Sequence, residues 1–189
     1  MKLRSLFAAM TGGAFLGLAA SFIQTLEKIQ LLKHSGEPLV CDLNSVFSCT
    51  QVLNSWQSSV MGFPNSIMCL FVFTVLLTAG LAGLAAGTKN LPKNFRLGMQ
   101  GLSLAVLAFG LWYLSQTIFV IGALCIYCLF CMAGLLVVNW ALLRINVSNL
   151  PISDKAKAKL KEHIARGTDI FGWFLIAAAI TLAVLIQFR

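Results

Sequence analysis

The chain has 189 residues, of which 59% are hydrophobic and 11% charged, with a mean hydropathy of +0.87. That balance excludes a soluble globular domain and fits a polytopic membrane protein. The net charge of +8 then belongs to topology and lipid contact, not to nucleic-acid binding.

A hydrocarbon core of roughly 30 Å needs about 20 apolar residues in a helix, and several stretches supply them. The first, residues 6–26, follows the basic start Met1-Lys2-Leu3-Arg4. Its apolar run is too long for a signal-peptide core, and Glu27-Lys28 follows without a small-x-small cleavage site, so it reads as a retained helix. Residues 29–65 form a loop that holds Cys41, Cys49 and the turn residues Ser35-Gly36-Glu37-Pro38. Within it Val52, Leu53, Trp56 and Val60 fall on one face of a short amphipathic helix, and Trp56 is the residue type that prefers the membrane–water boundary. That helix is expected to lie across the mouth of the bundle as a lid.

A second span covers 66–87, and a turn at 88–96 containing Pro92 leads to a third at 97–116. Only a few residues around 117–121 separate it from a fourth span at 122–143, which makes the two antiparallel neighbours. Residues 144–169 are polar, with Lys155, Lys157, Lys159 and Lys161 alternating with Ala and Leu, and read as an amphipathic linker attracted to anionic lipid. A fifth span, 170–188, completes the set. The expected fold is therefore all-α and integral to the membrane: a four-helix bundle over 1–143 with loop 29–65 as its lid, a linker over 144–169, and a fifth transmembrane helix over 170–189.

Eleven of the 14 Lys and Arg residues fall at the N-terminus, at 88–96 and at 144–169; Lys28, Lys33 and Arg189 fall on the other side. By the positive-inside rule the N-terminus is cytoplasmic and the 29–65 loop is external. Cys125 and Cys128 then stand in the first turn of the fourth helix, at its external end. Residues i and i+3 on a helix have Cα atoms roughly 5 Å apart, inside the window of about 4.4–6.8 Å that a disulfide needs. The partial positive charge at a helix N-terminus also favours thiolate over thiol. Cys131, one turn deeper, and Cys69 read as buried packing residues. CxxCxxC has the spacing of part of an iron–sulfur run, but those cysteines come from a wrapping loop and these are spread along a helix, so no metal is expected.

Cys41 and Cys49 share the external compartment with Cys125 and Cys128, and two such pairs make a relay for thiol–disulfide exchange. Alternatively, Cys41–Cys49 is a staple on the loop of a non-catalytic scaffold. An oxidised dithiol must pass on two electrons, and the sequence has no nucleotide fingerprint, haem CxxCH or His cluster; His34 and His163 lie on opposite sides. A quinone held among the helices is the economical acceptor, in an apolar site with one or two hydrogen-bond donors. Asn65, in Gly62-Phe63-Pro64-Asn65-Ser66, can donate to a quinone carbonyl or simply cap a helix. Phe63, Tyr113, Trp112, Tyr127 and Met132 are possible ring contacts.

Cys41-Asp42, Ser48-Cys49, "VLNS" at 52–55, "GFPNS" at 62–66 and "CIYC" at 125–128, in that order, resemble the vitamin K epoxide reductase family over roughly residues 5–143. The resemblance implies a four-helix bundle around a quinone, with Cys128 facing the quinone, Cys125 as its partner exchanging with Cys49, and Cys41 meeting an external reductant. By the same resemblance Asn65 hydrogen-bonds the quinone and Ser55 is a loop serine near the active site. Met132 stands where many relatives of the animal type carry a tyrosine. The fifth helix resembles that of bacterial members, in which a thioredoxin-like domain often comes next; here the resemblance implies a separate thioredoxin-like partner. The function expected is a thiol:quinone oxidoreductase of a bacterial inner membrane that supports disulfide formation, using a menaquinone, ubiquinone or vitamin K type quinone. The alternative is a vitamin K epoxide or quinone reductase in an endoplasmic reticulum membrane.

Overall fold

The structure is a computed structural model that describes residues 2–34, 39–89 and 91–188. Ser35, Gly36, Glu37 and Pro38 of the expected turn, and Arg189 of the charge count, lie outside the described residues. Among those described, five helices are long and apolar enough to cross a membrane, and no β-strand forms. They are α1 (Leu3–Lys33), α3 (Asn65–Ala86), α4 (Lys93–Gln116), α5 (Ile126–Asn146) and α7 (Thr168–Gln187); α2 (Cys49–Asn54) and α6 (Asp154–Arg166) are short and lie in the connections. The all-α membrane fold expected from hydropathy is the one observed.

Helix α1 packs against α3 and α5, and α4 packs against α5. The α1–α5 contact is set by small residues. A Cβ on Gly134 of α5 would lie 2.6 Å from the Gly13 carbonyl oxygen and 3.1 Å from the Gly17 nitrogen, and one on Gly17 would lie 2.1 Å from Phe73 Cζ of α3. With hydrogens in place of side chains the two backbones touch, and in lipid it is such close packing, not a hydrophobic drive between helices, that holds a pair together. Phe7, Met10, Phe73, Leu76, Val138 and Leu142 fill the centre of the bundle, all 1% exposed or less. Helix α7 has no buried residue. It is tied to the bundle by a two-armed contact of Asp169 with Arg144, Nε and Nη2 each 2.6 Å from a carboxylate oxygen.

Several boundaries differ from those expected of the sequence. Helix α1 continues to Lys33, a little over one turn past the expected start of the loop at residue 29. Polar Gln24 and Glu27 extend it because both are buried against the cysteine-bearing end of the bundle. The expected amphipathic helix is broken. Ser55 is extended (φ −71°, ψ 149°), splitting α2 from a 3₁₀ turn at Trp56–Ser59. Val52 and Leu53 are therefore buried while Trp56 is 68% exposed, its ring 6.4 Å from that of Trp112.

The third span does not end at 116. It runs on as a π turn, Thr117–Ile121, closed by Gly122 in the left-handed region (φ 73°). Residues 122–125 are then the connection, so α5 begins at Ile126 and Cys125 is its extended N-cap residue (φ −97°, ψ 121°), not a residue of the first turn. The 144–169 stretch, expected as a linker, contains the 13-residue α6, capped by the Ser153 side chain and without a buried residue.

Candidate active site

The short connection after Gly122 brings the two cysteine pairs together. Leu124 N–H donates to Val46 O at 2.7 Å and Ser48 N–H donates to Leu124 O at 3.1 Å, a parallel bridge around Phe47 and Leu124. This register sets the cysteines side by side, because Cys49 comes one residue after Ser48 and Cys125 one after Leu124. Their sulfurs lie 3.3 Å apart. Cys41 and Cys49 are joined in a disulfide with Cα atoms 5.7 Å apart, while Cys125 and Cys128 are free thiols. Cys41, Cys49 and Cys125 are each 3% exposed or less.

Asp42 organises the loop between the paired cysteines, which are eight positions apart. Its carboxylate accepts from the backbone N–H groups of Leu39 (2.9 Å) and Thr50 (3.0 Å), from Ser48 Oγ (2.9 Å) and from Thr50 Oγ1. Burial alone would raise this carboxyl, but the bonds from Thr50, Leu39 and Ser48 outweigh it and hold the pKa below the ordinary aspartate value. Lys28 Nζ of α1 donates to Leu53 O and ties α2 to the bundle.

Below the cysteines lies a cleft lined by Gln24 of α1, Asn65, Ser66 and Cys69 of α3, Phe109, Gly110 and Tyr113 of α4, and Cys128, Cys131 and Met132 of α5, with Val106, Leu114 and Leu135 completing its walls. Of Cys41, Cys49, Cys125 and Cys128, Cys128 lines it. The walls are apolar with a few polar groups, the usual make-up of a small-molecule site. Asn65 is not a helix cap, since Pro64 holds that position. One Asn65 Nδ2 hydrogen goes to Gln57 O at 2.7 Å, which leaves the second available. The Tyr113 hydroxyl is buried with no hydrogen-bond partner among the described residues.

Of the ring and quinone contacts expected from the sequence, Asn65, Tyr113 and Met132 line the cleft and Ser55, Phe63, Trp112 and Tyr127 do not. Ser55 Oγ donates to Val52 O, closing α2, and Phe63 is 42% exposed. Gln24 is a lining residue that the motifs do not single out, although a polar residue inside an apolar span is a signal in itself. Its Nε2 donates to Cys128 Sγ at 3.1 Å and stands 3.9 Å from Cys125 Sγ. One turn deeper, Ser21 Oγ lies 3.2 Å from Cys131 Sγ, a polar contact for a cysteine expected only to pack.

Comparison with known families matches residues 8–143 to the vitamin K epoxide reductase family, a span that holds both cysteine pairs and every residue lining the cleft. No curated protein matches the chain. With most of its length covered by that match, and a disulfide set against a dithiol at the end of a membrane bundle, the chain belongs to the vitamin K epoxide reductase family and is a membrane oxidoreductase of thiol–disulfide and quinone chemistry.

Proposed function

We propose that the protein carries electrons from a thioredoxin-like partner through Cys41 and Cys49 to Cys125 and Cys128 and on to a quinone, and so drives disulfide formation in exported proteins. The observation that carries this reading is the 3.3 Å separation of Cys49 and Cys125, a distance from which one sulfur can attack another. In the steps proposed, the partner's two thiols become its disulfide and Cys41–Cys49 becomes a dithiol. The Cys49 thiolate attacks Cys125 Sγ of a Cys125–Cys128 disulfide, that S–S bond breaks, and the electron pair leaves on Cys128. Cys41 then attacks Cys49, restoring the loop disulfide and releasing Cys125. The arrangement with Cys41–Cys49 closed and Cys125 and Cys128 free corresponds to the state that has received electrons and not yet spent them. Re-forming Cys125–Cys128 delivers two electrons and two protons to the quinone, giving quinol.

The cleft supports the last step. Cys128 opens on it, and Asn65 and Tyr113 offer one N–H and one O–H for the two quinone carbonyls, with Met132 and Phe109 as apolar walls. A menaquinone, ubiquinone or vitamin K type ring suits such a lining. Val40 and Leu43, 78% and 64% exposed on either side of Cys41, give an apolar surface for a thioredoxin-like partner to dock on. In this reading 1–143 is the catalytic bundle, 29–65 its lid, 144–169 a basic linker on the membrane surface and 170–189 a peripheral fifth helix. Charge asymmetry supports a cytoplasmic N-terminus and an active site facing outside, in a bacterial inner membrane.

The exchange step is tested with the double variant Cys41→Ser, Cys128→Ser. With both resolving thiols gone, mild oxidation is expected to trap Cys49 and Cys125 in a disulfide found by mass spectrometry after digestion. Failure to form it while both thiols remain alkylatable would refute the relay.

A further inference from the structure

We propose that Gln24 is a catalytic residue that holds the negative charge of the Cys128 thiolate, as a backbone N–H holds an oxyanion. The inference rests on the relay proposed above, in which Cys128 is the leaving group of the exchange and the donor to the quinone.

The geometry comes from helix packing. Because Gly134 is pressed on Gly13 and Gly17, and α1 and α5 run antiparallel, each turn outward along α1 meets the preceding turn of α5. Ser21 thus meets Cys131 at 3.2 Å, and Gln24 meets Cys128 at 3.1 Å. The Gln24 side chain is buried and lines the cleft from α1. A thiolate here has lost water and needs a donor to replace it. Gln24 Nε2 stands 3.1 Å from Cys128 and 3.9 Å from Cys125, so its help goes chiefly to the sulfur beside the cleft, while Cys125 has the backbone N–H groups of Tyr127 and Cys128. That asymmetry suits the chemistry: when Cys49 attacks Cys125 and the Cys125–Cys128 bond breaks, the electron pair goes to the sulfur already facing an N–H. The Gln24 N–H stays on Cys128 while the two thiols are free, and it faces that sulfur again when Cys125–Cys128 closes and the electron pair passes to the quinone. Cys128 has Cys125 and Cys131 on its own side of the bundle, Cys69 on α3 and Tyr113 on α4 around it, and Glu27 lies near Cys125 on α1. None of these side chains is a cation beside Cys128, so beyond the N-terminal turn of α5 itself the donor that faces its sulfur is the Gln24 amide N–H.

The test uses the full-length protein in detergent, reduced with a small dithiol that is then removed. Alkylation of Cys128 and Cys125 by iodoacetamide is followed against pH by mass spectrometry, in wild type, Gln24→Leu and Gln24→Glu. Glu keeps the size of Gln and offers no N–H when ionised. In both variants Cys128 is expected to react about tenfold more slowly at neutral pH, with the inflection of its profile moved up by about one pH unit. The Cys125 rate, measured in the same molecules, is expected to change by less than about threefold and corrects for altered access. An unchanged Cys128 profile, or an equal shift at both cysteines, would overturn the assignment. Quinone reduction on the same samples separates the two claims. Absence of wild-type turnover refutes the relay whatever Gln24 does, whereas wild-type turnover with an unmoved Cys128 profile refutes the role of Gln24 alone.

Discussion

Replacing Gly134 with alanine tests whether the glycine contact between α1 and α5 positions the active site. The added Cβ would stand 2.6 Å from the Gly13 carbonyl oxygen, 3.1 Å from Gly17 N and 3.3 Å from Gly17 Cα. All three are backbone atoms of a helix, so no rotamer relieves the clash. Restoring ordinary contact requires the helices to part by about 0.8 Å, a gap that forfeits a quarter to a half of the dispersion energy of the atoms facing it. Overpacking of this kind costs about 1–3 kcal/mol, or several degrees of melting temperature for a chain of this size. A comparable displacement of Gln24 would also lengthen its 3.1 Å contact with Cys128, so turnover falls along with stability. Thermal unfolding in detergent, followed by tryptophan fluorescence, provides the first readout, and Gly98→Ala the control. A Cβ at Gly98 of α4 meets nothing within 4 Å, and alanine there is neutral or stabilising by up to about 1 kcal/mol. A Gly134→Ala protein that melts within about a degree of wild type would refute the reasoning.

Two further outcomes rest on the same geometry. Tyr113→Phe removes a buried hydroxyl that has no protein partner among the described residues. Stability is expected to hold or rise slightly, while the KM for quinone rises about tenfold from a lost hydrogen bond of roughly 1.4 kcal/mol; a drop in melting temperature with unchanged KM would show the hydroxyl to be structural. Asp42 titrates below its ordinary value in the folded loop, so its ionised form stabilises the loop. That contribution is complete above the unfolded pKa near about 4 and is lost as pH falls through the lower folded value. Acid should therefore make Cys41–Cys49 easier to reduce below about pH 4 in wild type, whereas Asp42→Asn should be easier to reduce at neutral pH and lack that acid step. Reduction by a small phosphine, which stays active in acid, reads both.

The membrane spans are legible in the sequence because hydropathy is a sum over about twenty residues and tolerates local error. The cysteine pairs are legible because their spacing is local. The features that escape depend on single residues acting across the fold. Ser55 interrupts an apolar periodicity that reads as one helix, because the Ser58 hydroxyl of the following turn reaches back to the chain on both sides of the break, its one hydrogen shared between Leu53 O at 2.7 Å and Ser55 O at 2.8 Å. Cys125 lies outside its helix because Leu124 is paired with the 46–48 segment, a contact across a stretch of chain that no sequence window contains. Gln24 is a lone polar residue whose partner is set by the Gly134 crossing, and the packing of Gly13 and Gly17 is visible in the sequence only as a small-xxx-small spacing without a named partner. Asn65 is legible as a donor, yet its bond to Gln57 is not.

The most direct test of the relay is quinone reduction by the purified protein in detergent, with a small dithiol as donor and quinone absorbance as the signal, beside Cys128→Ala. The account predicts steady turnover in wild type and none above the uncatalysed rate in the variant, which leaves Cys125 without the thiol it needs to re-form a disulfide. Turnover that survives in Cys128→Ala, from a folded protein with its loop disulfide intact, would contradict it.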